Sequence, residues 1–400
     1  MVGELLRASL PDNAERVDDT SRAKEGGLQI WQLEKWIPLL KERRRQRLTN
    51  STHPIILSIL RTSNQTLQIV KLPIIEGNTC RTLEDLYKYT SESLYKKLDG
   101  RGLRFSSAMP LNHNWKIDGN KIQTGKLYIS SIKTHGNLLP TQARASRGRN
   151  ETPMCGAGCN SRASSSHNVQ ACTRTHSMRI KRHDMVTKLF DERLKHMGYT
   201  TIIEPKIRTS AGLRNPDLVI SDGLTSHVLD TQIVNDFDDP DTLHQNKKIY
   251  YSNDEIIKWV KEKTKTSLTS VSTITFNCRG CMSKTSAVDL KKLGLTNRDF
   301  TLATVKVLEY TYICWRKYNC STMRRRTPPT NKSTTQTPAK NVPFKTAFSA
   351  QDDWGNYTKN TINTLDKTIR QSIRSWLKLP KDTPITFIHA RAADGGLEIK

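Results

Sequence analysis

Apolar positions recur at helical spacing in some stretches of the chain and alternate or cluster at strand spacing in others. In residues 26–48, GGLQIWQLEKWIPLLKERRRQRL, Leu28, Ile30, Leu33, Ile37 and Leu40 fall near one face and lead into the basic patch Lys41 to Arg47. The spacing predicts an amphipathic helix with a cationic end, kinked or restarted at Pro38, whose ring removes a backbone donor. Residues 80–100 repeat the pattern through Leu83, Leu86, Tyr87, Leu94 and Leu98. The N-terminal third is therefore expected to be mostly helical. From Ser130 to Arg149 the stretch SSIKTHGNLLPTQARASRGR has several positive charges, no acid, two Gly and one Pro, and reads as an extended basic connector.

Further along, KRHDMVTKLFDERLKHMG (181–198) places Val186, Leu189, Phe190, Leu194 and Met197 on one helical face and stops at Gly198. TTIIEPKI, PDLVISD and SHVLDTQIV then read as three strands, because β-branched residues and Leu dominate and Gly, Asp and Ser separate them. NDEIIKWVKEKTK is helical, TSVSTITFN is a fourth strand, and 286–318 is helical again. The order of helix, three strands, helix, strand and helix gives an α/β class. Residues 321–345 hold no acid and almost no large apolar residue, which predicts a disordered basic linker before a last helix from Thr361 to Lys378.

At 400 residues the chain has room for two to three domains, and 35% hydrophobic content allows modest cores. No apolar run approaches the roughly 18 to 20 residues of a bilayer span, and MVGELLRASLPDNAERVDD lacks the apolar stretch of a signal peptide. A soluble intracellular protein with no membrane partner is expected. The 64 Lys and Arg exceed the 38 Asp and Glu by 26, an excess that favours a polyanionic partner held in a salt-sensitive way. Aromatic residues at 6% are too sparse for long base-stacking platforms, so phosphate contacts are expected to dominate.

The cysteines sharpen this picture, since they cluster rather than spread. Cys155-x3-Cys159-x7-His167-x4-Cys172 puts three thiols and an imidazole within 18 polar residues that have no core of their own. Tetrahedral zinc matches that donor set, and four protein ligands leave no open position, so the site is expected to be structural. His176 is the alternative imidazole. Arg147, Arg149, Arg162 and Arg174 flank the cluster and suit a nucleic-acid-binding knuckle. Cys278-x2-Cys281 invites a second zinc, but Cys314 and Cys320 are poorly placed partners, and ordinary half-buried cysteines are the other reading.

An acidic set follows. Asp217 after Pro216, Asp230 on a strand, Glu204 upstream and the run Lys247 to Tyr251 resemble the parts of a metal-dependent phosphodiesterase site. Carboxylates at the ends of adjacent strands converge on Mg²⁺, which polarises a phosphodiester and acidifies an attacking water. The usual short-range pattern ends in a lysine two residues after the second acid, where this chain has Gln232; Lys247 is the substitute. A turn Asp and a solvated strand Asp are the bland alternative. Arg182, His183 and Asp184 are placed at a helix start, where Asp184 favours the dipole and His183 faces phosphate, or where the three are a plain charge cluster. Asp18 and Asp19 are surface charge.

Taken together, these motifs resemble the C-terminal part of a site-specific non-LTR retrotransposon Pol polyprotein, of the class with a reverse transcriptase and restriction-like endonuclease that inserts into ribosomal RNA genes. GGLQIWQLEKWIPLLKERRRQRL resembles the segment after that family's polymerase thumb, and GNLLPTQARASRGR its linker before the knuckle. The Cys155, Cys159, His167, Cys172 spacing and the following RTHSMRIKRHD resemble its knuckle, and GLRNPDL, LDTQIV and Lys247-x3-Tyr251 its nuclease motifs. NCRGCMS falls where the family tends to have N-W-R-G, which puts Cys278 at the Trp position and implies no zinc there. SIRSWLKLPKDTPITFIHARAADGGLEIK resembles the thumb, which ordinarily precedes residue 25; EGGLQIW at 25–31 and DGGLEIK at 394–400 echo one another. A junction of two elements is the expectation, with 346–400 separated from its natural neighbours and the polymerase palm absent from this chain.

The resemblance implies a PD-(D/E)xK restriction-like core at 178–320, a CCHC knuckle with its connector at 129–177, a helical post-thumb region at 1–128, the linker 321–345 and a thumb-like fragment at 346–400. It implies Mg²⁺ on Asp217 and Asp230, catalytic Lys247 and Tyr251, structural Zn²⁺, and nucleic-acid contacts from Arg147, Arg149, Arg174, Arg182 and His183. Target double-stranded DNA and element RNA are the expected partners, in the nucleus. The rivals are a catalytically decayed nucleic-acid-binding remnant and a purely structural basic scaffold.

Overall fold

The computed structural model describes residues 33–62, 70–105, 109, 113–322 and 359–389. Asp18, Asp19, the echo of 25–31 with 394–400 and all but the first two residues of the 321–345 linker lie outside the described residues. The first helices are α1 (Leu33–Thr49), α2 (Pro54–Thr62) and, after the short pair β1 (Ile74–Ile75) and β2 (Asn78–Thr79), α3 (Leu83–Lys96). Pro38 sits inside α1 without ending it, at the loss of one backbone bond. Helix α3 starts in a reciprocal cap, with Thr82 accepting from the Asp85 N–H and Asp85 reaching back to the Thr82 N–H.

The stretch read as an extended connector is instead helical and buried. Helix α4 (Asn114–Asp118) leads to α5 (Gly125–His135) and α6 (Gln142–Ala145), and Ile132, His135, Leu138, Leu139, Ala143 and Arg144 are all enclosed. The charge that suggested a solvated connector is neutralised from afar. Arg144 and Arg147 both pair with Asp99 and Asp382, at 2.6 to 3.2 Å.

Helix α7 (His176–His196) opens the α/β part and is followed by β3 (Thr200–Ile203), β4 (Ile207–Thr209), β5 (Gly212–Arg214), β6 (Leu218–Ser221) and β7 (Thr225–Val234). TTIIEPKI, expected as one strand, breaks at Glu204 and Pro205. Glu204 takes a positive φ of 46°, and proline has no N–H for a ladder. Then come α8 (Pro240–Tyr251), α9 (Asp254–Thr264), β8 (Leu268–Asn277), α10 (Lys284–Lys292) and the long α11 (Asn297–Thr322). The sequence reading missed α8 as a helix, although Asp239 caps it and Pro240 occupies its first turn.

The sheet runs β3-β6-β7-β8, antiparallel except for the parallel pair β7 and β8, which α8 and α9 connect. Side chains alternate across it. Leu218, Ile220 and Leu229 join Val186, Phe190, Ile274, Phe300 and Val307 on one face, while Val219, Val228 and Val271 join Ile256, Val260 and Tyr251 on the other. The sheet is thus covered on both sides, which explains its near-continuous apolar strands.

Helix α11 ties the regions together. Phe300, Ala303 and Val307 enter the sheet core, Val305 and Leu308 enter the helical core with Leu94, Leu103, Trp115 and Ile132, and Tyr318 reaches the cysteine cluster. The last helices, α12 (Lys359–Trp376) and α13 (Ile385–His389), pack back on this helical core through Ile373, Leu377, Phe387 and Ile388. These residues, read as a fragment placed apart from its natural neighbours in the chain, pack on the helical core. The Asp366 carboxylate accepts from the N–H groups of Leu33 and Glu34 at 3.0 and 3.1 Å, so α12 caps the start of α1. Gly136 has no room for a Cβ because the Phe387 ring lies against it.

Candidate active site and metal centre

Strand alternation positions the acidic site. Asp230 shares the face of Val228, which looks toward α8, whereas Thr231 looks toward α7 and accepts from the Thr187 hydroxyl at 2.8 Å. One turn apart on α8, Lys247 and Tyr251 both reach this site. The Lys247 ammonium lies 3.0 Å from Asp230 Oδ2, and Tyr251 donates its hydroxyl to the Asn215 carbonyl at 3.2 Å. Gln232 is engaged elsewhere, donating to the Leu243 carbonyl and the Thr275 hydroxyl. Lysine therefore comes to the second acid from the neighbouring helix.

Asp217 sits just before β6, and its Oδ2 accepts from the Thr231 N–H at 2.5 Å and from His183 Nε2 at 3.1 Å. His183 Nε2 also meets the Thr231 carbonyl at 3.0 Å, which requires the proton to be on that nitrogen. Burial disfavours the imidazolium, but the bond to Asp217 and its charge outweigh it and raise His183 to about 9. The Asp230 carboxyl is pushed up by burial and by the negative charge of Asp217, against the opposing pull of Lys247. Burial, then the Asp230 charge, also raises the Tyr251 phenol. Two carboxylates, an ammonium and an imidazolium are thus concentrated at one strand edge. Glu204 lies beside a cavity of about 280 Å³ with His183, Asp184, Thr187 and Leu218, and its N–H donates to the Asp217 carbonyl at 2.9 Å.

Of the expected nucleic-acid contacts, Arg149 and Arg174 are exposed. Arg182 is not: it is 2% exposed, donates to the Thr311 hydroxyl and Gln170, and has no route to a phosphate. Arg147 is committed to Asp99 and Asp382. Nor do residues 182–184 start a helix, because α7 begins at His176 and carries them in its middle. The function of His183 as a partner of Asp217 was missed, since nothing local links two residues 34 apart in sequence.

The cysteine cluster closes as its spacing suggested. One ligand atom each from Cys155, Cys159, His167 and Cys172 lies within 4.8 Å of all the others. Cys172 Sγ is 3.8 and 3.7 Å from the other two sulfurs. Zinc–sulfur bonds of about 2.3 Å in a tetrahedron give an edge of about 3.8 Å, so the set fits zinc. The His167 Nε2 is buried without a hydrogen bond, and burial lowers the His167 pKa, which favours the neutral ring that a metal needs. His176 instead contacts Arg179. Tyr318 from α11 accepts the Gly156 N–H and covers one side. Cys278 and Cys281 join no such group among the described residues; Cys278 packs with Cys314 and Val169.

The chain matches no protein-family model. It is 31% identical over 305 residues to the "Retrovirus-related Pol polyprotein from type-2 retrotransposable element R2DM" of Drosophila melanogaster, covering 74% of this chain and 28% of that protein. The "Retrovirus-related Pol polyprotein from type-1 retrotransposable element R2" of Nasonia vitripennis is 29% identical over 242 residues, 58% of this chain and 23% of its own length. That of Bradysia coprophila is 27% identical over 314 residues, 74% of this chain and 35% of its own. The chain thus spans about a quarter to a third of the length of these relatives. It belongs to the R2-type non-LTR retrotransposon Pol polyproteins, of which it matches a portion.

Proposed function

We propose that residues 178–320 are a Mg²⁺-dependent DNA endonuclease of the PD-(D/E)xK restriction-like type, which nicks target DNA so that the new 3′ end primes reverse transcription. The observation that carries this reading is the ion pair of Lys247 with Asp230 on the strand whose Thr231 N–H holds Asp217. Asp217 and Asp230 offer hard carboxylate oxygens that suit Mg²⁺. Bound there, the ion would polarise the phosphodiester and acidify the attacking water. Lys247 holds and orients that water and steadies developing charge, Tyr251 positions the phosphate or water, and His183 fixes the rotamer of Asp217.

The Cys155, Cys159, His167, Cys172 set binds structural zinc, since its four protein ligands leave no open position. Arg149 and Arg174 beside it meet nucleic acid, with target duplex and element RNA as the partners and the nucleus as the place. A second reading, a decayed binding remnant, is favoured by Gln232 at the position where the usual pattern has lysine.

Nicking of supercoiled DNA in Mg²⁺ separates the two. Asp230→Asn is expected to lower the nicking rate by about a thousandfold or more while DNA binding persists. Equal nicking by the variant, or none by the wild type, would remove the nuclease assignment.

A further inference from the structure

The hairpin of β4 and β5 has no part in the site described above, yet it is fixed beside it. Ile207 is fully buried with Val219, Val228 and Tyr251. The turn is tied down where the Ser210 N–H donates to Glu255 at 2.6 Å, and the Arg214 guanidinium lies 4.5 Å from the centre of the Tyr250 ring. Residues directly opposite in an antiparallel pair share a face. Ile207 opposes Arg214 and Arg208 opposes Leu213, so the inward pair anchors the hairpin and the outward pair, Arg208 and Leu213, faces solvent.

Tyr250 joins this hairpin to the carboxylates. Arg214 contacts its ring from one element, and the Lys247 ammonium that pairs with Asp230 lies 5.7 Å from the same ring. Beside Arg214 and Tyr250 in the chain, Leu213 and Ile249 are 52% and 74% exposed, and Tyr250 itself is 47% exposed. On the outward face of the hairpin the exposed Leu213 stands directly opposite the exposed Arg208, an apolar side chain next to a cation. The segment from Pro205 to Pro216 adds Lys206, Arg208 and Arg214 and contains no acid. Apolar contact framed by cations matches the chemistry of a nucleic-acid groove, where phosphates flank base and sugar edges. A two-stranded ribbon also fits the B-DNA major groove, about 12 Å wide.

We propose that the β4–β5 hairpin grips duplex DNA beside the phosphate to be cut, with Arg208 on a phosphate and Leu213 against the groove edge, while Arg214 on Tyr250 holds the hairpin in place. The identity of the partner rests on the nuclease reading. The test uses the full zinc-loaded chain and a short DNA duplex, with Ca²⁺ in place of Mg²⁺ to prevent cutting, titrated at several salt concentrations. The double variant Arg208→Ala/Leu213→Ala is expected to raise the Kd for duplex about tenfold and to reduce the salt slope by about one. Lys263→Ala, which removes an exposed charge at the far end of α9, is expected to change the Kd by less than about twofold. Both hairpin side chains are exposed, so thermal unfolding should match the wild type. A double variant no weaker than Lys263→Ala overturns the proposal, as does weakened binding to a stem-loop RNA with duplex binding intact. Nicking scores the parent reading separately: nicking without a hairpin effect sinks the hairpin alone, and a hairpin effect without nicking by the wild type sinks the nuclease alone.

Discussion

The sheet region and the helical region are held together by different physics. Residues 176–307 fold around two apolar layers on a four-stranded sheet, and most of their contacts are made within one continuous stretch of chain. The helical region draws on residues 83–145 and 359–389, and it is stitched by buried polar groups: Asp99 with Arg144 and Arg147, Arg279 with the His135 and Asp99 carbonyls, and Asp366 with the start of α1. Apolar layers tolerate the loss of one contact gradually, whereas a buried ion without its partner is costly. The helical region should therefore be the more brittle of the two.

Removal of Asp99 is the strongest way to break that comparison. Its carboxylate is 3% exposed, lies 3.0 Å from Arg144 and 2.6 Å from Arg147, and the two guanidinium groups hold its carboxyl below the usual range against the cost of burial. Asp99→Ala leaves the enclosed Arg144 with only the half-exposed Asp382 and the Asn137 carbonyl. A loss of about 3 to 5 kcal/mol is expected. Denaturant unfolding measures it, and hydrogen exchange should show α5, α6 and α13 losing protection before β6 and β7 do. Uniform loss across both regions would show that they unfold as one unit and are equally brittle.

The same contrast explains what the sequence made legible. Helix α7 and strands β6, β7 and β8 could be read because apolar periodicity reports contacts to a nearby core, and the Cys/His cluster because its four members fall within 18 residues. Residues 130–149 were misread because Asp99 and Asp382, which consume the charge of Arg144 and Arg147, lie 45 to 238 positions away. Arg182 was misplaced for a like reason, since its partner Thr311 is 129 residues distant. The acidic site falls between these cases. The Lys247-x3-Tyr251 resemblance offers Lys247 as the substitute for the lysine missing at Gln232, but the link from His183 to Asp217 needed the packing of α7 on the sheet.

Acid offers a milder probe of the same difference. His135 is fully buried, and His389 is pushed down to about 3, first by burial and then by the nearby cations Arg370, Lys35 and Arg374. Lys116, His113 and Arg279 act on His135 in the same direction. A folded-state pKa below the unfolded value means that the unfolded chain binds more protons, so stability is full above about pH 6.5 and falls as pH drops toward about 3. At about pH 5 the contribution of His389 corresponds to a loss of about 2 kcal/mol. Thermal melts of wild type and His389→Gln should converge as pH falls from 7 to 5, because the variant lacks this titration. Parallel pH profiles would exclude His389 as a source of acid lability.

The smallest effect concerns the join between α12 and α1. Asp366 is 1% exposed and gives one oxygen to the Leu33 N–H and the other to the Glu34 N–H, while Arg370 stands 4.0 Å away. Burial raises its pKa, and the two backbone donors oppose that shift. Helix caps of this kind contribute about 1 kcal/mol, and the first-turn N–H groups have no partner within their own helix. Asp366→Ala should therefore cost about 1 kcal/mol, with Asp366→Asn intermediate because one acceptor oxygen survives. The loss should register as faster amide exchange at Leu33 and Glu34, with β7 and β8 unchanged. Exchange at α1 that ignores the substitution would mean that the cap contributes nothing to the join of α12 with α1.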